Sequence, residues 1–535
     1  MYYKKKNTAK IIDSGKVIMI GLLVLQSALS SCSTTPASSA EEEPQAAGWV
    51  IGDYHEHSHF TDGGYQLDSV FSIGANKYGT NFLVNTDHGG AYPRNYDGRN
   101  WSAFSDVVFL GDSAGITEEG ERKMWRWQIL RDYSYPRVAA YQRNNPGRHY
   151  IQGLEWNSPA TSHTSTGIIT DSGLPIASFE YQFDHGDRDT SGGPVAGLVK
   201  NNGRENGNGE MMSKEKRTQA TTAALQWLME HHRYSSWTII AHPERGGNVE
   251  PSDLRNINNA GPDVAFGFEG IPGHQKNTLR AIFYPEHALG GGTYGGVGYM
   301  AAKVGGVWDA LLGEGRHFWL FTSSDFHGMQ SDFWPGEYHR TWIYSRDTTN
   351  AHEILSGMRS GNAFVANGDL INALDFSAES SGEEATMGES LPVSQGKPVA
   401  ISIRFRSPES NHNGDRPKVQ TVQLIMGDVT GKIDPKSPDY NRDTNESTRV
   451  LKQFTAEEFQ TNDGWAEISF QIPELDKNSY LRIRGTNHLP GTEFETDPEG
   501  HPLPDSLATN LGLDGPAEAW ADLWFYSNPI FLELK

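Results

Sequence analysis

The sequence predicts an α/β fold with a parallel sheet, followed by an antiparallel β-sandwich. Short apolar runs in the first part alternate with helical patterns over residues 66–77, 121–143 and 217–232. Such alternation is typical of a parallel sheet. After Gly368 the apolar residues recur with a period near two, and Gly, Pro, Asn and Asp lie between the runs. That second pattern favours a sandwich over residues 371–535.

Most apolar runs of the first part end in residues that bind metals. The run Trp49-Val50-Ile51-Gly52 leads to His55 and His57, whose imidazoles point to the same side of an extended chain. The candidates at or shortly beyond the ends of such runs are His55, His57, Asp62, Asp87, His88, Glu155, His163, His242, Glu269, Asp325 and His327. Ligands at the carboxyl ends of parallel strands meet at one edge, so the sequence predicts a metal centre there.

The order of these motifs resembles the PHP (polymerase and histidinol phosphatase) superfamily over residues 48–370. The chain has His-x-His with a following Thr-Asp-Gly, then Thr-Asp-His, Gly-x-Glu, a downstream His, Ala-His-Pro and Ser-Asp-x-His. The resemblance implies a distorted (β/α)7 barrel that holds two or three divalent metals at the carboxyl ends of its strands.

The resemblance also implies a ligand set for each metal. His55, His57, Glu155 and Asp325 would hold the first; Glu155, His163 and His242 the second; Asp62, His88 and His327 the third. His59 fits no position in this set. Asp87 is expected to orient His88 or a neighbouring ligand through its carboxylate. Two roles stay open for Glu269, orientation of a ligand or a buried pair with Arg245 or Arg280.

Such a centre favours hydrolysis of a phosphoric ester by activated water. Arg245, close to His242, is the best candidate to bind the phosphoryl group, although a surface salt bridge is the alternative role. Arg340, Lys303 and His274 are weaker candidates. Zn2+, Mn2+ and Fe2+ all suit His and carboxylate ligands. The expected substrate is a small-molecule phosphoester or related ester.

Two other functions compete with the phosphoesterase. The ending from Trp520 to Phe531 resembles the last strand of a PHP branch with a sandwich, which includes carbaryl-type carbamate hydrolases (CehA/McbA). A carbamate, ester or amide hydrolase is therefore the second hypothesis, and an aromatic pocket instead of a cationic cleft would favour it. The third is a surface lipoprotein that binds a ligand without catalysis. No ligand cluster is evident in the sandwich, whose expected role is packing or partner binding.

The start of the chain resembles a bacterial lipoprotein signal. A Lys-rich head and an apolar stretch over residues 17–25 precede small residues and Cys32, the single cysteine. Residues 1–32 are thus predicted as a signal peptide with a lipid anchor on Cys32, and 33–47 as a disordered tether. The alternative is an ordinary secreted protein. We expect an exported protein that faces the periplasm or the cell surface.

The net charge excludes one class of partner. The chain carries 45 Lys and Arg against 67 Asp and Glu, a formal charge of −22. A nucleic acid would be repelled by this charge everywhere except at the metals. We therefore expect no nucleic-acid partner.

Overall fold

The structure is a computed structural model, described here for residues 46–246, 249–272, 276, 292–328, 332–513 and 515–535. Residues Gln45–Lys535 form one compact unit. The predicted signal peptide, Cys32, residues 33–45 of the tether, His274 and Arg280 lie outside the described residues. Within the described part of the chain, no helix is both long and apolar enough to span a membrane.

Thirteen strands and nine α-helices precede residue 371 in the described residues. The strands are β1 Gly48–Glu56, β2 Phe82–Asn85, β3 Ala91–Tyr92, β4 Met124–Trp125, β5 His149–Asn157, β6 His163–Ile168, β7 Ser236–Ala241, β8 Gly267–Pro272, β9 Thr293–Tyr294, β10 Val297–Gly298, β11 Trp319–Ser323, β12 His339–Ser345 and β13 Ala363–Asn367. The helices are α1 Leu67–Asn76, α2 Arg126–Ile129, α3 Tyr135–Asn144, α4 Leu174–Phe183, α5 Lys214–His231, α6 Pro251–Ala260, α7 Tyr299–Ala302, α8 Val307–Leu312 and α9 Ala351–Ser360.

The remaining elements are mostly strands. They are β14 Ala373–Ser380, β15 Glu383–Thr386, β16 Ser390–Val393, β17 Val399–Arg406, β18 Thr421–Asp428, β19 Arg449–Thr455, β20 Gln460–Asn462, β21 Trp465–Ile472, β22 Ser479–Thr486, α10 Gly515–Ala521, β23 Trp524–Ser527 and β24 Ile530–Leu534. The molecule is therefore a mixed α/β protein with a second, sheet-rich region.

The main sheet of the first region has the strand order β11-β8-β7-β6-β5-β2-β1-β12-β13. Pairs β1–β2, β2–β5, β7–β8 and β8–β11 are parallel, as the alternation predicts. Strands β2, β7 and β11 are buried along their whole length, which explains their continuous apolar sequences. The last residue of β1 and the segment after β11 approach each other at a parallel bridge between Glu56 and Phe326.

Strand β6 departs from the predicted parallel sheet. It pairs antiparallel with both β5 and β7. Only residues 158–162 join β5 to β6, a connection too short for the crossover that a parallel pair needs. A hairpin is the consequence, and the first residue of β6 lies beside the last residue of β5. The closed (β/α)7 barrel stays a prediction from the resemblance.

The second region shares a sheet with the first. Strand β13 pairs with β23, and the sheet continues through β22 and β18 to β19. A second sheet, with the order β15-β14-β17-β21-β20, packs on it around a common apolar core that includes Ile403, Leu424 and Phe525. The sequence-predicted boundary at residue 370 therefore falls between strands of one compact unit.

Two predictions of local structure, one helix and one loop, differ from the structure. The pattern over residues 121–143 forms β4 first, then α2, a π-helical turn at Leu130–Ser134 and α3. Residues 171–216, rich in Gly, Asn and Asp, are expected to be a solvated loop but contain α4, buried from Ile176 to Phe183. A helix that is buried on all sides shows no amphipathic pattern. The following Asp184, Asp187 and Asp189 are also buried, so their predicted solvation is wrong.

Candidate metal centre

The predicted ligands lie together at one edge of the main sheet. His55 belongs to the end of β1, Glu155 to β5, and His57, His88, His242, Asp325 and His327 follow β1, β2, β7 and β11. His163 is the first residue of β6. Because β6 runs antiparallel, its amino end lies at the same edge as the carboxyl ends of its neighbours.

Glu155 is at the centre of the cluster, and five imidazoles surround its carboxylate. Its Oε1 atom lies 3.2 Å from His55 Nε2, 2.8 Å from His163 Nδ1 and 3.0 Å from His242 Nε2. Its Oε2 atom lies 3.4 Å from His57 Nε2 and 2.7 Å from His88 Nδ1. Imidazoles thus lie at both oxygens of this carboxylate, and Glu155 could hold divalent cations together with them.

Asp325 completes the buried part of the centre. Its Oδ1 atom lies 3.2 Å from His55 Nε2 and 3.3 Å from His57 Nε2. The ligand atoms of His55, His57, Glu155 and Asp325 all lie within 4.8 Å of one another, and all four residues are buried. The structure thus brings together the set that the resemblance implies for a first metal.

Asp62 marks the side of the centre that faces solvent. Its Oδ2 atom lies 3.4 Å from His88 Nε2 and 3.5 Å from His327 Nε2. These three residues and His57 form a second group whose ligand atoms lie within 4.8 Å. The side chain of Asp62 is 47% exposed, whereas that of Glu155 is 1% exposed. Solvent therefore reaches the centre from the Asp62 side.

The buried polar atoms of the centre test whether cations fit there. Nε2 of His55, both ring nitrogens of His57, Oε2 of Glu155 and Nδ1 of His163 are buried and have no hydrogen-bond partner among the described residues. Buried polar atoms without partners are costly. Coordination would satisfy them, and imidazole nitrogens with carboxylate oxygens suit Zn2+, Mn2+ or Fe2+. The residues present therefore fit divalent metal ions.

Two ligand candidates have an unusual backbone conformation. His242 has a φ of 30° and Asp325 a φ of 46°. Residues other than glycine seldom adopt positive φ, and such conformations cluster at functional sites where the fold holds them. His242 directly follows β7, and Asp325 lies two residues after β11. Both strands are fully buried and hold these residues in place.

Glu269 in β8 orients the imidazole of His55. Its Oε1 atom lies 2.9 Å from His55 Nδ1 and accepts hydrogen bonds from Ser165 Oγ (3.2 Å) and Ser323 Oγ (2.6 Å). Its Oε2 atom accepts from the His242 backbone N–H at 3.0 Å. With Nδ1–H donating to Glu269, Nε2 of His55 is the atom left to bind a metal. Of the two roles open for Glu269, these contacts correspond to the orientation of a ligand.

Asp87 holds the turn between His57 and Asp62. It accepts hydrogen bonds from the backbone N–H and hydroxyl of Ser58, both at 2.7 Å, and from the Thr61 hydroxyl at 2.5 Å. Its Oδ2 atom lies 3.5 Å from Nη2 of the buried Arg126. Burial would raise the pKa of Asp87, but Arg126 and the hydroxyl donors lower it. Of the two expected roles, orientation of His88 or of a neighbouring ligand, these contacts correspond to the second, because the turn connects His57 to Asp62.

Arg245 points into the centre. Its Nη2 atom lies 2.6 Å from Asp325 Oδ2, and its side chain is 22% exposed. Arg340, by contrast, donates to the carbonyls of Gly336 and Tyr78 and pairs with Asp369, so it has a structural role elsewhere. Lys303 lines a different cavity. Arg245 is thus the arginine placed to meet a bound anion.

His59 lies outside the cluster. Its Nε2 atom lies 2.9 Å from the Gly64 carbonyl and its Nδ1 atom 3.2 Å from the Tyr96 carbonyl. Both ring nitrogens thus face backbone oxygens. His59 is a natural control for His57, which has the same side chain two residues earlier.

The electrostatics of the cluster favour ionised carboxylates. Burial would raise the pKa of Glu155, but the imidazoles of His163, His88 and His55 outweigh it and hold that pKa well below 4.5. Burial would likewise raise the pKa of Asp325, and His55 and Arg245 lower it. Burial, with the cations nearby, lowers the pKa of His57 and of His242 to about 4. Burial would also lower the pKa of His55, His88 and His327, but the neighbouring carboxylates outweigh it and raise all three, that of His327 to about 9. Since metals bind the neutral imidazole, metal binding at these three rings would release protons.

Aromatic residues beside the centre have no signal in the sequence. The rings of Tyr65, Phe326 and Trp334 contact one another, with centroids 4.3–5.9 Å apart. This aromatic cluster adjoins His327, because the Gly64 N–H donates to the His327 carbonyl at 2.6 Å. Nothing in their local sequence distinguishes these side chains from core aromatics.

A further group of metal-binding residue types lies in the second region, where none is evident in the sequence. The ligand atoms of His488, Glu495 and Asp522 lie within 4.8 Å of one another. His488 Nε2 is 3.1 Å from Asp522 Oδ1 and 3.9 Å from Glu495 Oε2. The three residues follow no common motif, so only the fold brings them together.

Comparison with known proteins adds little to this geometry. No model of a known protein family matches the chain, and no curated protein matches it. Among solved structures, the chain is similar to a two-domain protein from Bacteroides vulgatus ATCC 8482 that contains a predicted PHP-like metal-dependent phosphoesterase. The identity is 11% and the TM-score 0.33, with 88% of this chain and 99% of that chain covered. Metal binding is therefore inferred from the cluster itself.

Proposed function

We propose that this protein is a metal-dependent hydrolase that holds two or three divalent cations around Glu155 and hydrolyses phosphoesters. The observation that carries the proposal is the carboxylate of Glu155, buried and surrounded by five imidazoles. Clusters of this composition are rare outside metal sites, because buried imidazoles and carboxylates otherwise need hydrogen-bond partners. Zn2+, Mn2+ and Fe2+ are the candidate ions.

Different residues of the chain have different roles in the proposed hydrolysis. Divalent cations, when bound, lower the pKa of water and neutralise the charge of a phosphoryl group. His55, His57, Glu155, His242 and Asp325 fix the position of that chemistry, since they are buried in the sheet edge. Arg245 supplies a guanidinium that matches the oxygens of a phosphoryl group. The exposed side, near Asp62, is where substrate enters.

A carbamate, ester or amide hydrolase is the second candidate, and the aromatic cluster of Tyr65, Phe326 and Trp334 favours it. Tyr65 is 41% exposed, so it offers an aromatic surface close to His327. An aryl carbamate would stack on such a surface. The phosphoesterase remains the preferred proposal because Arg245 lies 2.6 Å from a ligand carboxylate.

Export as a lipoprotein is proposed from the sequence. The apolar stretch over residues 17–25 and the small residues before Cys32 support a lipid anchor on that cysteine. The protein would then be held at a membrane and face the periplasm or the cell surface. Replacement of Cys32 by Ala tests this: the protein should move from the membrane fraction to the soluble fraction, and retention of the variant at the membrane would contradict it.

Three substrates test the reaction. Hydrolysis of p-nitrophenyl phosphate, bis-p-nitrophenyl phosphate and 1-naphthyl N-methylcarbamate is measured for the metal-loaded protein and for His242→Ala, Arg245→Lys and the control His59→Ala. We expect phosphoester turnover that His242→Ala abolishes and that Arg245→Lys lowers about 100-fold in kcat/KM, the typical effect of removing one charge-stabilising donor. His59→Ala should retain activity. Turnover of the carbamate alone would favour the second candidate.

A further inference from the structure

A cavity of about 490 Å³ lies next to the candidate metal centre. Its wall includes the segment from Ser158 to Ser162 that joins β5 to β6, together with His185 and the first turn of α5. Ser162 directly precedes the ligand candidate His163, and the ring of His185 contacts the carbonyl of Asn157 at 3.0 Å. The turn of the β5–β6 hairpin thus lines the cavity, and the two strands that it joins carry Glu155 and His163 of the centre.

Arg217 gives this cavity a positive charge. Its Nη1 atom donates to the Pro159 carbonyl at 3.3 Å, and in the described part of the chain no carboxylate lies within 4.0 Å of its guanidinium. Lys214 and Glu250 also line the cavity and lie 3.0 Å apart, so their charges balance, and Asp253 lies 3.4 Å from Lys214. The uncompensated cation on this wall is therefore the guanidinium of Arg217.

Two residues of the cavity wall have buried polar atoms without hydrogen-bond partners among the described residues. Thr161 is 3% exposed, and its Oγ1 atom has no hydrogen-bond partner among the described residues. Nε of Arg217 is also buried and has no hydrogen-bond partner among the described residues. Helix α5 has 18 residues and begins here, with Ser213 as its N-cap, so its amino end adds positive potential. A guanidinium, a hydroxyl and a helix amino end together suit an anion.

We infer that this cavity binds a second anionic group of the substrate, a phosphate or carboxylate, while the scissile ester lies at the metal centre. The inference rests on the proposed function and narrows its substrate class to phosphoesters that carry another anionic group. Arg217 and Thr161 would then determine specificity by holding the distal group. They take no part in the chemistry at Glu155.

Binding of non-hydrolysable probes tests the inference separately from catalysis. Isothermal titration of the full-length, metal-loaded protein compares propyl-, butyl- and hexylphosphonate with the corresponding α,ω-bisphosphonates. We expect at least one bisphosphonate to bind about tenfold more tightly than its monophosphonate. Arg217→Gln should abolish this preference. Lys216→Gln is the matched control, because Lys216 is an exposed cation of the same helix turn that does not line the cavity.

The outcomes separate the two proposals. Equal affinity for the two probe series, no binding of either, or a preference that Arg217→Gln retains would overturn the anion subsite. Turnover of p-nitrophenyl phosphate, which carries a single anionic group, is measured in parallel. Lys216→Gln should leave that turnover unchanged, and absence of turnover in the wild type would instead contradict the phosphoesterase.

Discussion

The imidazole of His55 is fixed by the carboxylate of Glu269, whose Oε1 atom lies 2.9 Å from His55 Nδ1. Both side chains are fully buried. This contact turns Nε2 of His55 towards Glu155 and Asp325, each 3.2 Å away. Glu269 also accepts the backbone N–H of His242. One carboxylate thus positions two ligand candidates from strands that are far apart in sequence.

Replacement of Glu269 by Gln should weaken metal binding. The amide keeps the shape of the side chain but loses the charge that holds His55 Nδ1–H, and changes of this kind cost about 10–100-fold in affinity. Competition with a chromogenic chelator measures the effect. Glu250→Gln is the control, since Glu250 is a carboxylate that pairs with Lys214 outside the centre. Equal metal affinity in both variants would contradict the role of Glu269.

Removal of residues 371–535 should prevent folding of the first region. Strand β13 would lose its neighbour β23, and an apolar face built around Phe364 would be exposed. Exposed apolar edges of this kind cause aggregation. Expression of residues 46–370 with circular dichroism and sedimentation tests this. A soluble, cooperatively unfolding fragment would show that the first region is independent.

Asp309 and Arg482 form a buried ion pair between α8 and β22. The two hydrogen bonds, at 2.8 and 2.7 Å, are bidentate, and both side chains are 0% exposed. Asp309→Asn leaves a buried guanidinium without its counter-charge, which should lower the free energy of unfolding by about 3–5 kcal/mol. Urea denaturation measures it. The exposed pair Asp375–Arg404 is the control, because Asp375→Asn should cost less than about 1 kcal/mol.

His501 should make the protein less stable in acid. Arg484 Nη2 donates to His501 Nδ1 at 2.6 Å, and burial, with that cation, lowers the pKa of His501 to about 4. Between pH 6.5 and 4 the unfolded chain therefore binds a proton that the folded protein does not, so stability falls as pH falls through this window. His501→Gln keeps an acceptor for Arg484 and should flatten that part of the pH profile. An unchanged slope would contradict the effect.

Most ligand candidates could be predicted from the sequence because they lie near or just after the end of a short buried strand. His55, His88 and Asp325 are examples in which the apolar run and the polar end are adjacent in the chain. The strands of the second region, such as β17 and β21, were equally predictable from their period-two pattern. The local pattern of apolar residues is sufficient for prediction where the buried side chains and the functional side chain belong to the same strand.

The remaining features depend on tertiary contacts. The antiparallel direction of β6 follows from the short connection before it, and the burial of α4 hides any helical periodicity. The partners of Glu269 come from β1, β6, β11 and the residue after β7, so no local pattern shows its role. His488, Glu495 and Asp522 likewise meet only in the fold.

The metal content of three full-length proteins tests the central claim most directly. Wild type, His57→Ala and His59→Ala are purified alike, loaded with Zn2+ or Mn2+, desalted and measured by inductively coupled plasma mass spectrometry. The buried position of His57 beside Glu155 and Asp325 predicts two or three ions per chain in the wild type and in His59→Ala, and at least one fewer in His57→Ala. A wild type without metal, or equal metal in all three proteins, would contradict the centre described here.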